Sequence, residues 1–155
     1  MNTLYDFKVG DKESYTMTMV DADVVLYACM TGDFNPIHID DAYAEKGPYG
    51  QRVVHDMLVA GLISTVLGTK MPGPGSSCIQ NTLEFLAPVY IGDTVTASVQ
   101  VISRDMGQNQ MTLSTQCVKD NGTVVIKGHA LMRFLEHGVR LNSTMKKIYK
   151  AVENA

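Results

Sequence analysis

Hydrophobic and polar positions change their period partway along this chain. From Asp56 to Leu67 the run Asp-Met-Leu-Val-Ala-Gly-Leu-Ile-Ser-Thr-Val-Leu has almost no polar face. It therefore predicts a helix covered nearly all round, roughly 18 Å long at about 1.5 Å per residue. Downstream the period becomes two. Val95, Ala97, Val99 and Val101 alternate with Thr96, Ser98 and Gln100, and Met111 and Leu113 alternate with Thr112 and Ser114. Ile126, Gly128, Ala130, Met132 and Phe134 alternate with Lys127, His129, Leu131 and Arg133. The turns between these runs are short and polar: Asp105 to Asn109 with Gly107, and Asp120-Asn121-Gly122, whose Asn-Gly is a strong hairpin signal. With Tyr15–Val20 as an early strand and Ser77–Leu86 as the first strand after the helix, the pattern predicts an α+β fold. An antiparallel sheet with one apolar face curls around a single apolar helix.

Smaller elements fill in the rest. Asp21 is placed to N-cap a helix over Ala22–Met30, with Asp23 in its first turn and Gly32 just past its end. Asp40 or Asp41 caps a short turn through Glu45 that Gly47-Pro48 ends. Lys146, Lys147 and Lys150 beside Ile148, Tyr149 and Val152 predict a weakly amphipathic helix in the tail. His129 falls on the polar strand face and His137 in the turn before the tail, so both are expected at the surface. Ser64 and Thr65 are expected to bond back to the preceding helical turn. No repeat or linker divides the chain, which reads as a single domain over 1–155.

Composition narrows the function. A net charge of -3 and a pI near 5.7, with no basic run, give no support for nucleic acid. The longest apolar stretch, Met57 to Leu67, is far shorter than the roughly 20 residues that cross a bilayer. The N-terminus lacks a charged leader and long apolar core, so a cytoplasmic protein is expected. Cys29, Cys78 and Cys117 have no metal-ligand or redox spacing and read as core or half-buried residues. No His/Cys/carboxylate cluster with ligand spacing argues for a metal.

The chemistry concentrates in Thr31-Gly32-Asp33-Phe34-Asn35-Pro36-Ile37-His38-Ile39-Asp40, followed by Asp41-Ala42-Tyr43-Ala44. Pro36 fixes its own φ and pushes Asn35 away from helical geometry, so the segment from Asp33 to His38 is expected to be a rigid turn. A carboxylate and an imidazole held there are suited to moving protons on and off water. The run Gly-Asp-x-Asn-Pro-x-His-x-Asp, then an aromatic and Ala, resembles the hydratase motif of the MaoC-like dehydratases, the (R)-specific enoyl-CoA hydratases, at every position from Gly32 to Ala44. Val53-Val54-His55-Asp56-Met57-Leu58-Val59-Ala60-Gly61-Leu62 resembles the start of that family's central helix, and Phe85-Leu86-Ala87-Pro88-Val89-Tyr90-Ile91-Gly92-Asp93-Thr94-Val95 resembles its strand-turn-strand signature.

The resemblance implies the hot-dog fold and a cofactor-independent hydro-lyase that reversibly hydrates trans-2-enoyl-CoA, or its acyl carrier protein counterpart, to the (R)-3-hydroxyacyl product. By resemblance Asp33 activates the water, while His38 orients it and donates the proton to carbon 2. The backbone N–H of Asp56, where the family usually has Gly, holds the enolate oxygen at the helix start. A carboxylate there either opposes that charge, folds back as a cap over the amides, or points into solvent. Asn35, His55 and Gly61 are candidate substrate-binding residues: Asn35 by orienting the loop or the water, His55 from behind the site, and Gly61 because a helical Gly suggests close approach of an acyl chain or a strand. Lys46, Arg52, Lys70 and Arg104 are candidates to meet phosphates. A homodimer is expected, because a lone hot-dog sheet leaves an edge and an open pocket. The alternatives are a hot-dog thioesterase and a non-catalytic acyl-CoA-binding protein in which Asp56 disables turnover.

Overall fold

In the computed structural model, which describes residues 2–135, the alternating runs become strands and the apolar run becomes the helix they enclose. Strands β1 (Lys12–Thr18), β2 (Ser76–Phe85), β3 (Thr94–Asp105), β4 (Gln110–Lys119) and β5 (Val124–Phe134) form one antiparallel sheet in the order β1-β3-β4-β5-β2. The helices are α1 (Asp21–Thr31), α2 (Pro36–Ile39), α3 (Asp41–Glu45) and α4 (Asp56–Thr69), with a 3-10 turn at Leu4–Asp6. The expected meander β3-β4-β5 is present, closed by Gly107 and by the Asn121-Gly122 turn, where Gly122 takes φ +86°. The two remaining strands take the edges, β1 beside β3 and β2 beside β5.

The core lies where the apolar face of the sheet meets α4. Val95, Ala97, Val99, Val101, Met111, Leu113, Cys117, Ile126, Ala130 and Met132 pack against Val59, Leu62, Ile63, Val66 and Leu67. Burial of large side chains such as Ile63, at roughly 2 kcal/mol each, is the main force holding helix to sheet. The expectation that α4 is covered all round fails within one chain. Met57 is 57% exposed, and Gly61, Ser64 and Gly68 on the same side are also exposed. Among the described residues the five strands cover only one side of the helix, and the other side is open.

Other local expectations shift. The first strand begins at Lys12 and ends at Thr18, earlier than its apolar residues suggest. Helix α1 starts at Asp21, so Val20 is the N-cap, and Asp23 reaches back to accept the Val20 N–H at 2.9 Å. Asp40 caps α3 as expected, accepting from the Tyr43 N–H at 3.0 Å. Thr65 bonds back to the Gly61 carbonyl at 3.2 Å. Cys117 is buried, which pushes its thiol up to about 12, but Cys29 and Cys78 are exposed rather than half-buried. His129 is exposed as expected, whereas His137 and the tail helix lie outside the described residues. No helix among the described residues is long and apolar enough to cross a membrane.

Candidate active site

Three sequence motifs converge because each holds the next. In the strand-turn-strand segment, the Asp93 carboxylate accepts the Tyr90 N–H at 2.8 Å and pairs with Lys119 at 2.6 Å. Burial pushes the Asp93 carboxyl up, but the Lys119 ammonium and the Tyr90 amide win and hold it below the usual carboxylate range. The loop so fixed pins the next segment: Val53 bridges to Tyr90, and the Val54 N–H donates to the Val89 carbonyl at 2.8 Å. Val53 in turn pins the first motif, since its N–H donates to the Ile37 carbonyl at 3.1 Å and its carbonyl accepts from His38 Nδ1 at 2.7 Å.

That last bond decides a tautomer. A carbonyl can only accept, so His38 carries its proton on Nδ1 and presents Nε2 as a lone pair. The segment leading to it differs from the expected plain turn. Gly32 takes φ +79° and ends α1, Asp33 to Asn35 form the turn, and Pro36 then occupies the first position of the short helix α2 that carries His38. Pro is pre-organised for that position, so it starts a helix here instead of only blocking one. The Asn35 side chain accepts the Ile37 N–H at 3.3 Å, which makes it the cap of α2.

Asp33, His38, His55 and Asp56 line one cavity of about 510 Å³ with Tyr27, Thr31, Ile37, Tyr49, Val53, Val54 and Met57, closed by Phe85, Leu86, Ala87 and Pro88. The Asp33 side chain is 51% exposed, whereas His38 and His55 are only 7% and 2% exposed. His55 Nε2 lies 3.0 Å from the Asp33 carbonyl and 4.0 Å from its carboxylate. The His38 and His55 rings stack with centroids 3.8 Å apart and planes at 24°, and Tyr27 packs on His55 at 4.8 Å. One ligand atom each from Asp33, His38 and His55 lies within 4.8 Å of the others.

Asp56 is the first residue of α4, and its carboxylate forms no cap there. Its N–H makes no hydrogen bond among the described residues and stands at a helix N-terminus, where partial positive charge collects. Of the alternatives the sequence leaves open, folding back over the amides is therefore ruled out, and the residue lies on the cavity wall. Asn35 and Gly61 are not among the lining residues, and nothing lies within 4 Å of a Cβ built on Gly61. Among the described residues the expected close approach to Gly61 is absent, because Gly61 sits on the open side of α4. Three of the four basic residues are also engaged elsewhere. Arg52 binds Asp21 and Asp41, whose carboxylates outweigh burial and hold its guanidinium above the usual range. Arg104 donates to the Leu4 and Phe7 carbonyls, and Lys70 to the Ser14 carbonyl. Tyr27 and Val53 were not singled out from sequence. The signal for Tyr27 is its place between Val24 and Thr31 on the inward stripe of α1, while the role of a backbone carbonyl leaves no side-chain signal.

Comparison with known proteins agrees with this geometry. Residues 5–122 match the model of the MaoC like domain. The chain is 42% identical to the (R)-specific enoyl-CoA hydratase of Rhodospirillum rubrum, over 81% of this chain and 86% of that protein. It is 43% identical to the 3-hydroxybutyryl-CoA dehydratase of Methylorubrum extorquens, over 83% of this chain and 81% of that protein. An R-hydratase from Pseudomonas aeruginosa in its unliganded form superposes with a TM-score of 0.82 at 32% identity, covering 87% of this chain and 86% of that one. With a domain match across most of its length and relatives above 40% identity, the chain belongs to the MaoC-like dehydratase family, whose hot-dog fold it shares.

Proposed function

We infer that the chain is a hydro-lyase that reversibly hydrates trans-2-enoyl-CoA to (R)-3-hydroxyacyl-CoA. The observation that carries this is the meeting of Asp33, His38 and an unbonded Asp56 N–H around one cavity in a chain so similar to named hydratases. Water must lose a proton as its oxygen bonds to carbon 3. The electron pair of the double bond moves toward the thioester oxygen as enolate, and carbon 2 then takes a proton while the carbonyl re-forms. The Asp33 carboxylate is the acceptor for the water proton. His38 Nε2 faces the same water. With Nδ1–H committed to the Val53 carbonyl, His38 gives carbon 2 its proton from Nε2 as the imidazolium and becomes neutral, and the proton Asp33 took from water then returns to Nε2 to reset the site. The Asp56 N–H is the donor to the enolate oxygen, supported by the α4 dipole.

The apolar rim of Met57, Phe85 and Leu86 suits an acyl chain, and these three side chains are 57%, 44% and 51% exposed. The β2 edge and the open face of α4 continue that surface, so the reading includes a homodimer in which a second copy covers both. A crotonyl-CoA assay with chiral analysis of the product tests the reaction. Loss of enoyl absorbance with (R)-3-hydroxybutyryl-CoA formed is expected. Release of free thiol would identify a thioesterase, and binding without turnover a non-catalytic acyl-CoA-binding protein. Running the same assay on crotonyl-acyl carrier protein ranks the two carriers.

A further inference from the structure

His55 occupies a position that acid/base chemistry at Asp33 and His38 does not by itself require. Its ring is 2% exposed, clamped between Tyr27 at 4.8 Å and His38 at 3.8 Å. Nε2 faces the Asp33 carbonyl at 3.0 Å, and a carbonyl only accepts, so His55 carries its proton on Nε2. Nδ1 is then a bare lone pair, buried and without a hydrogen-bond partner among the described residues. An orphaned buried acceptor costs on the order of a lost hydrogen bond, and it persists only where the surrounding contacts over-determine the ring.

The bond from Nε2 has a second property. Every other hydrogen bond of Gly32 to Asn35 among the described residues stays local. Gly32 N–H goes to the Ala28 carbonyl, Asp33 N–H to Thr31 Oγ1, Phe34 N–H to the Gly32 carbonyl and Asn35 N–H to Asp33 Oδ1. His38 and Ile37 are tied to Val53, and Asp33 is linked to them only stepwise through Asn35, so among the described residues its one direct bond to the Val53–Asp56 segment is the one from His55. His55 is also the N-cap residue of α4, covalently joined to Asp56.

We propose that His55 is a positioning residue: one rigid imidazole fixes the distance between the Asp33 carboxylate and the Asp56 amide. It touches no reacting atom in this role. It acts by holding the Asp33 loop at a set height above the first turn of α4, while its stack holds the ring of His38. Misplacement of reacting groups by about 1 Å costs on the order of 10²-fold in rate, which is the leverage such a strut has. The proposal rests on the hydratase reading, because it gives that reading's proton acceptor and oxyanion donor their spacing.

Two substitutions separate a strut from mere filling. His55→Phe keeps an aromatic ring between Tyr27 and His38 but removes the donor, and His55→Gln gives up the ring but keeps an N–H able to reach the Asp33 carbonyl. With crotonyl-CoA, His55→Phe should lose about 10- to 100-fold in kcat with KM changed less than about threefold and the melting temperature nearly unchanged. His55→Gln should recover part of that loss despite its poorer packing. A His55→Phe kcat within about twofold of wild type, or losses that simply track melting temperature in both variants, overturns the proposal. A turnover-independent measurement accompanies these: imidazole ¹⁵N NMR of the wild type should show His55 protonated on Nε2 and His38 on Nδ1, and His55→Phe should move the amide signals of Asp33 to Asn35. The opposite His55 tautomer, or unmoved loop amides, sinks the strut. If the wild type fails to hydrate crotonyl-CoA, the hydratase reading falls, and the tautomers and amide shifts still decide whether His55 holds the loop.

Discussion

The two walls of the cavity are built in opposite ways. The polar wall is finished inside one chain: His38 is bonded to Val53, Val53 to Tyr90, and Tyr90 to the Asp93–Lys119 pair, so every link to the buried imidazole is internal. The apolar wall is left open among the described residues, with Met57, Phe85 and Leu86 about half exposed and continuous with a sheet edge that has no neighbour among them. Proton transfer demands fixed geometry, and a series of bonds between buried, well-packed segments supplies it. Acyl binding needs only apolar surface, which a second copy can supply equally well. The polar wall should therefore be sensitive to changes at single atoms, and the apolar wall to changes in assembly.

The sharpest test strikes the polar wall itself. Asp33→Asn and His38→Ala should each lower kcat by about 10²-fold or more, with the double variant costing little beyond the worse single one, as expected for two groups acting on one water. Turnover near wild type in either single variant, with an unaltered circular dichroism spectrum, would remove that residue from the mechanism.

Breaking the far end of the same chain of bonds should hurt stability first. Asp93→Asn strands the Lys119 ammonium, whose side chain is only 8% exposed, and should cost about 3 kcal/mol in urea unfolding. The Asp93 carboxyl is held below its ordinary range, so its stabilisation is present above the unfolded-state value near 3.8 and is lost as pH falls through the lower folded value. The wild type should lose this increment on acidification below about pH 4, and Asp93→Asn should lack it. Equal acid sensitivity in both proteins would show that the pair is not what holds the Tyr90 loop.

How much of this was legible in the sequence follows the same division. Period-two runs betrayed β3, β4 and β5, because their inward residues are buried by α4 within one chain. The resemblance of Gly32 to Ala44 brought out Asp33 and His38, and Pro36 marked the rigid segment, although it starts α2 where a plain turn was expected. What the residues hid was of two kinds. Backbone partners leave no side-chain trace, so the Val53 carbonyl could not be read, whereas the Asn35 cap had a signal in Asn-Pro, the cap and first residue of a helix start. Faces left open among the described residues look like core: the apolar run of α4 read as covered all round, and Gly61 as closely approached, because an apolar residue leaves the same trace in the sequence whether its face is covered or open.

The open wall invites the next change. Ile79 is 44% exposed on edge strand β2, and a charge there is a standard block to strand-edge association. If a second copy covers this edge, Ile79→Lys should turn a dimer into a monomer in sedimentation analysis and reduce hydration by about 10-fold or more, with far-UV circular dichroism unchanged. A wild type that is already monomeric and active would mean that one chain completes the pocket alone.

Asp56 sits where the two walls meet, on the cavity wall with its carboxylate unbonded. A negative charge beside the developing enolate opposes it, so Asp56→Gly should raise turnover by about 10-fold, equivalent to roughly 1.4 kcal/mol of barrier. The same change should lower stability by about 0.5 to 1 kcal/mol, through loss of an acid from the first turn of α4 and the added freedom of Gly. Turnover that stays level while stability falls would place the carboxylate outside the field of the enolate.

The smallest effect is expected at Gly61, and it is informative for that reason. Among the described residues a side chain there meets nothing within 4 Å, so Gly61→Leu should fold normally and gain up to about 0.8 kcal/mol of helix propensity if the protomer is tested alone. Any penalty must come from what covers the open face of α4. If that is the acyl chain, the ratio of kcat/KM for a C8 over a C4 enoyl-CoA should fall by a few-fold while the dimer persists, since one or two blocked methylenes are worth about 1 to 2 kcal/mol. If it is the second copy, the dimer should weaken and both substrates should suffer equally. If neither changes, nothing approaches this face in solution, and the apolar wall ends at Met57.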